Sequence, residues 1–216
     1  MLGQAQIQLS QSDLARLHDY TGGNPRLLEL FVTLHCSGES LTDVLQRVST
    51  TPSLEFLLNR TWQRLDEDEQ SLLNALSVFR RHSPSDAWQP ERAALDRLIA
   101  RNLVQVYGQG GVALLPALRK AVYNQLTLEN RAAWHLVAAG IRAERGEHTA
   151  AAYHYLKAGK PEIAIWVWYN HREQEVDQGQ ASAALRLFEQ IAPDRLREED
   201  RARLVLLQNE LQIRRG

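Results

Sequence analysis

Residues 21–26, Thr-Gly-Gly-Asn-Pro-Arg, are the first place in this sequence where chemistry could be done. Gly22 and Gly23 tolerate positive φ, Asn24 is a good N-cap, and Pro25 suits the first position of a helix. Such a turn offers free backbone N–H groups and the positive end of a helix dipole to an anion. The same residues equally make a tight interhelical turn. His148, His154 and His171 are the metal candidates. Their separations of six and seventeen place no pair at i,i+3 or i,i+4, so they read as scattered core or surface histidines, as do His18 and His35. Trp166, Trp168 and Tyr169, near Tyr153 and Tyr155, form an aromatic concentration. Trp166 and Tyr169 share a helix face from which Trp168 diverges, so one ring is expected to be exposed; core packing is the ordinary reading of such rings, and Trp166, Trp168 and Tyr169 are the candidates for a partner-binding groove.

No constellation for bond-making accompanies them. The chain lacks Gly-x-x-x-x-Gly-Lys-Ser/Thr, a strand-borne acidic pair for Mg²⁺, and a spacing that singles out a Ser/His/Asp set or paired carboxylates. Cys36 is the sole cysteine, which excludes an internal disulfide and a thiolate zinc site, and it reads as a buried thiol. No catalytic residue, metal site or cofactor is expected in this chain.

Composition limits the partners. The 216 residues are 44% apolar, with a formal charge of −1 and a pI near 6.7, so no global field draws the chain to nucleic acid or an anionic membrane. Residues 1–59 carry 3 Lys+Arg against 6 Asp+Glu, 60–126 carry 9 against 7, and 127–216 carry 13 against 13. The first fifteen residues show no signal peptide and no apolar run spans a bilayer, so a cytoplasmic protein is expected.

The elements that must position these residues are almost all helical. A capping box at Ser10-Gln11-Ser12-Asp13 opens a helix to about Tyr20, and Pro25 opens another to about His35. Short helices are expected over 41–48 and 53–65. Asp66 and Glu69 form a second capping box, whose acidic quartet reads as a solvated first turn of helix 67–79. A short helix at 84–88 and one at 91–101 follow. Residues 103–107 and 112–115 alternate across the glycine-rich 108–111 turn, which predicts a hairpin, and a helix at 116–126 follows it. Beyond it, Arg145-Gly146-Glu147-His148-Thr149-Ala150-Ala151 matches Gln178-Gly179-Gln180-Ala181-Ser182-Ala183-Ala184 in layout, and Tyr155 and Phe188 follow at the same offset. Glycines 33 residues apart, each ending one helix before a small-residue helix, predict a helical-repeat array whose last helix covers about 198–214.

A Gly-Asn-Pro turn with a Leu-rich helix, then a winged helix, then helical repeats, resembles the signal-transduction ATPases with numerous domains. This is the STAND class, which includes MalT-like transcription regulators and the apoptotic and plant-resistance ATPases. The resemblance implies a mainly α chain. It would comprise a helical lid remnant of a nucleotide-binding domain (1–59), a winged helix (60–126) and tetratricopeptide-like repeats (127–216) that an excised segment would cut short. It places Pro25 near an adenine and Arg26 at a phosphate-sensing position, with ATP or ADP held by an upstream nucleotide-binding domain in cis. Where the family often has a diphosphate-sensing histidine, this chain has Leu115. The implied function is regulatory: the winged helix as an intramolecular clamp, the repeats as sensor for a protein or small-molecule ligand. The alternative is a transcription regulator in which Arg92, Arg97 and Arg101 of helix 91–101 contact DNA. Against that stand Glu91 and Asp96 on the same helix and a wing without Lys or Arg.

Overall fold

A computed structural model describes residues 10–21, 25, 28, 32, 59–108 and 110–214. The chain is mainly α-helical with one small three-stranded antiparallel sheet, and it divides into two compact units, residues 1–125 and 126–216. Among the described residues no helix is long and apolar enough to cross a membrane.

The first unit begins with α1 (Gln11–Thr21). Its cap is at Ser10, whose Oγ accepts the Asp13 N–H at 3.1 Å while its hydroxyl donates to the Asp13 carboxylate at 2.6 Å. Then come α2 (Glu67–Ser77), β1 (Ser83–Pro84), a 3₁₀ turn (Ser85–Trp88), α3 (Arg92–Ala100), β2 (Val104–Tyr107), β3 (Gly111–Leu114) and α4 (Pro116–Gln125). The expected hairpin is present, with Val106 opposite Val112 and Val104 opposite Leu114. The sheet has one more strand than the sequence predicts. Ser83 pairs with Val112 and Pro84 with Gly111, giving the order β1-β3-β2. Proline is tolerated there because β1 is an edge strand, where its missing N–H breaks no ladder. Trp88 fastens the strand, donating its indole N–H to Ser83 Oγ at 2.8 Å and meeting Phe79 edge to face. Leu72, Leu73 and Leu76 of α2 pack in a core with Leu95 and Leu98 of α3, Leu114 of β3, and Leu118 and Val122 of α4, all buried.

The second unit is a run of helices: α5 (Leu128–Glu144), α6 (His148–Lys157), α7 (Pro161–Asn170), α8 (Arg172–Asp177), α9 (Ala181–Phe188) and α10 (Glu198–Arg214). Both repeated glycines are left-handed, Gly146 at φ 71° and Gly179 at φ 75°. Each closes its helix in the same way. Gly146 N–H bonds Ala143 and Glu147 N–H bonds Arg142, while Gly179 N–H bonds Val176 and Gln180 N–H bonds Glu175, all at 2.9 to 3.0 Å. This is the Schellman closure, and only glycine enters it without a Cβ penalty. Helices α5 and α10 have 17 residues each, and α7 with α8 spans the same length, interrupted at His171. Trp168, Leu185, Phe188, Leu204, Leu207 and Leu211 form the buried core of this unit.

Candidate functional site

In the first unit the acidic start of α2 and the cations of α3 form one network. Asp66 Oδ1 accepts the Glu69 N–H at 2.8 Å and Glu69 Oε2 accepts the Asp66 N–H at 3.0 Å, the reciprocal bonds of a capping box. The other carboxylate oxygen of Glu69 lies 3.4 Å from Nε of both Arg97 and Arg101. Arg97 also donates to Asp66 Oδ2 at 2.8 Å, and Arg101 donates to the Arg64 carbonyl at 3.0 Å. The two arginines are one helical turn apart, so both reach the same neighbour. The Glu69 backbone N–H, and behind it the Arg97 guanidinium, hold the Asp66 carboxyl below its usual range. Glu69 is fully enclosed, whereas Glu67 and Asp68 are exposed. The expectation of a wholly solvated acidic quartet is therefore corrected at this residue, because α3 packs its cations over it. Of the three arginines named for DNA contact, only Arg92 stays clear of this network, on the surface in an i,i+4 pair with Asp96 at 3.0 Å.

The second unit holds a buried carboxylate that no local motif announces. Glu175, on α8, accepts the backbone N–H of His148 at 2.7 Å and of Thr149 at 3.1 Å, and the Thr149 hydroxyl at 2.5 Å. The N-terminal N–H groups of α6 are thus capped from another helix, while the N-cap residue Glu147 makes no side-chain cap. Trp168 Nε1 donates to Thr149 Oγ1 at 2.8 Å and completes the chain. Three donors converge on the carboxylate, so the arrangement works as a tertiary cap. No spacing in the sequence marks it, because Glu175 and the groups it caps lie on different helices, 26 and 27 residues apart.

The histidines are paired across helices. His148 and His171 stack, centroids 3.6 Å apart and planes within 7°. Burial foremost, and the neighbouring His171, push the His148 pKa down against the opposing pull of Glu175. His135 and His154 meet Nδ1 to Nδ1 at 2.9 Å, both buried. One ring must donate and the other accept, so this contact cannot hold a proton on both nitrogens. Burial, and then Lys157, lower His135 to about 4. The reading of scattered histidines is corrected: separations of 19 and 23 in sequence become contacts because helix pairing, not single-helix spacing, brings the rings together. Among the described residues no group of three or more His, Cys, Asp or Glu is arranged to hold a metal.

The aromatic trio divides sharply. Trp166 is 55% exposed, Tyr169 is half-buried with Arg172 over its ring at 4.7 Å, and Trp168 is fully enclosed. Trp168 is therefore a core residue and not a partner contact; its face of α7 is the one that carries Ala164 and Ile165 inward. Trp166 keeps a surface that a partner could cover. Nearby, the helix breaks at His171 (φ −118°, ψ 14°), and Asn170, His171, Arg172, Glu173 and Gln174 line a polar cleft of about 320 Å³. Arg172 takes up the released Tyr169 carbonyl at 2.9 Å. Of the residues named for nucleotide binding, Pro25 is helical and exposed, while Arg26 lies outside the described residues, as do His35 and Cys36.

Compared with protein-family models, curated proteins and solved structures, the chain matches none.

Proposed function

We propose that this chain is the regulatory and interaction part of a STAND-type signalling ATPase. A winged helix would act as an intramolecular clamp, followed by tetratricopeptide-like repeats that receive a protein or small-molecule ligand. The observation that carries this reading is the commitment of Arg97 and Arg101 to Asp66 and Glu69. The order α2, β1, 3₁₀ turn, α3, β2, β3 supports the winged-helix reading, in which α3 would be the helix that enters the major groove of DNA. Here Arg97 of α3 and Arg101 at its C-cap are spent on Asp66 and Glu69, and residues 108–110 of the turn contain no cation for phosphate. That supports use as a packing element. The 33-residue spacing of two identically closed helix ends supports the repeat assignment. Pro25 and Arg26 would serve a nucleotide only with an upstream nucleotide-binding domain in cis, and the working compartment would be the cytoplasm.

Two measurements test it. An antibody to residues 127–216 should capture from source cells a species much heavier than 24.6 kDa, with peptides carrying a phosphate-loop lysine upstream of Met1. A native species of 24.6 kDa would remove the ATPase. Anisotropy titration with duplex DNA should show only weak binding, indifferent to Arg97→Ala. Tight, salt-dependent binding lost in that variant would favour the transcription-regulator alternative.

A further inference from the structure

Helix α10 carries two apolar faces, of which one is used. Leu204, Leu207 and Leu211 are buried in the core of the second unit. On the opposite side Leu206 is 58% and Ile213 82% exposed, with Ala202 and Asn209 exposed on the same line and Val205 beside it. The steps between Ala202, Leu206, Asn209 and Ile213 are four, three and four residues. That is the a/d spacing of a coiled-coil seam, not the broader stripe of a helix covering a globular core.

We propose that this seam binds the same seam of a second copy of the chain, with the two α10 helices antiparallel. Three features of the helix select this occupant and direction. Small Ala202 at one end and large Ile213 at the other would face each other across an antiparallel pair, filling each layer; a parallel pair would set alanine on alanine and isoleucine on isoleucine. Leu206 would meet Asn209 of the second copy, so each of the two central layers pairs one leucine with one asparagine. Arg203 and Glu210 occupy equivalent flanking positions of the heptad with opposite charges. Antiparallel pairing sets the Arg203 of each copy beside the Glu210 of the other, in addition to the partners each has in its own chain, Glu199 and Asp200 for Arg203, and Arg214 and Arg172 of α8 for Glu210. The first turn holds Glu198, Glu199 and Asp200 and the last turn Arg214, so the end charges and helix dipoles also complement one another in this direction.

A single helix seam lies at the small end of specific interfaces, which sets the expected Kd in the micromolar range. The proposal does not depend on the signalling role. It is tested by sedimentation of the full chain from about 1 µM to about 200 µM, a range that brackets that Kd. The mass should rise from 24.6 kDa toward twice that value, and Leu206→Asp, an exposed substitution that leaves the helical circular dichroism intact, should hold it at the monomer. Mixing Ala202→Cys with Ile213→Cys chains under mild oxidation should yield the mixed disulfide, identified by the mass of the joined peptides. A chain that is monomeric throughout, or a dimer indifferent to Leu206→Asp, overturns the proposal. Ala202→Cys joining only to itself overturns the antiparallel arrangement.

Discussion

Glu175 Oε1 accepts the backbone N–H of His148 at 2.7 Å across 27 residues of sequence. One helix thereby receives its N-terminal cap from another, and the cap reports whether the two are docked. Glu175→Ala orphans the donors of His148 and Thr149 inside the protein, a loss of about 3 kcal/mol in stability. Glu175→Gln keeps one acceptor oxygen and should lose roughly half as much. Urea unfolding of the two variants measures both, and equal stability of Glu175→Ala and the parent would remove the cap from the account.

The Glu69 carboxylate is enclosed beneath two arginines. Removing one by Arg97→Ala leaves a buried charge under-compensated and should destabilise the first unit by about 1 to 3 kcal/mol. Glu69→Gln in that background retains the capping oxygen without the charge, so it should recover part of the loss. A double-mutant cycle that shows simple additivity would mean the two side chains do not interact.

Acid should loosen the second unit. His135 sits at about 4, against 6.5 in a solvated chain, because burial and Lys157 disfavour its charged form. The unfolded chain binds the proton first, so this stabilisation is complete above pH 6.5 and is lost as pH falls from there through about 4. Melting temperature should fall already between pH 6.5 and about 5, above the range of ordinary carboxylates. His135→Gln should flatten that limb; an unchanged slope would assign it to other groups.

At the repeated helix ends, Gly179→Ala forces an alanine to φ 75° and should cost about 1 kcal/mol. Gly146→Ala should cost more, since its Cβ would also lie 3.3 Å from Gln174 Nε2. Thermal melts of the pair establish the order.

What was legible in the sequence is what local chemistry controls. The Asp66–Glu69 box, the Gly146 and Gly179 ends and the hairpin across Gly110 are each written within a few residues. Strand β1 escaped because two residues carry no period, and its pairing is decided by β3, far along the chain. Helical spacing separates Trp168 from Trp166 and Tyr169 without saying which side is exposed. That Trp166 is exposed and Trp168 is not depends on where Thr149 offers an acceptor to the Trp168 indole. Arg97 and Arg101 read as candidate DNA contacts because nothing local in the sequence ties them to Glu69. Contacts such as His135–His154 belong to helix pairing and leave no mark in spacing.

The second unit also carries a kinetic consequence. Most of its packing joins α5 to α6, α6 to α7 and α9 to α10, near neighbours along the chain, with α7 to α10 and α6 to α9 as longer-range additions. Each helix hairpin closes a short loop, so little chain entropy is lost before a contact repays it. Folding can therefore start at one hairpin and spread by addition, and the buried Glu175 engages only once α6 and α8 have both arrived. A substitution there should speed unfolding while leaving the rate of folding nearly unchanged.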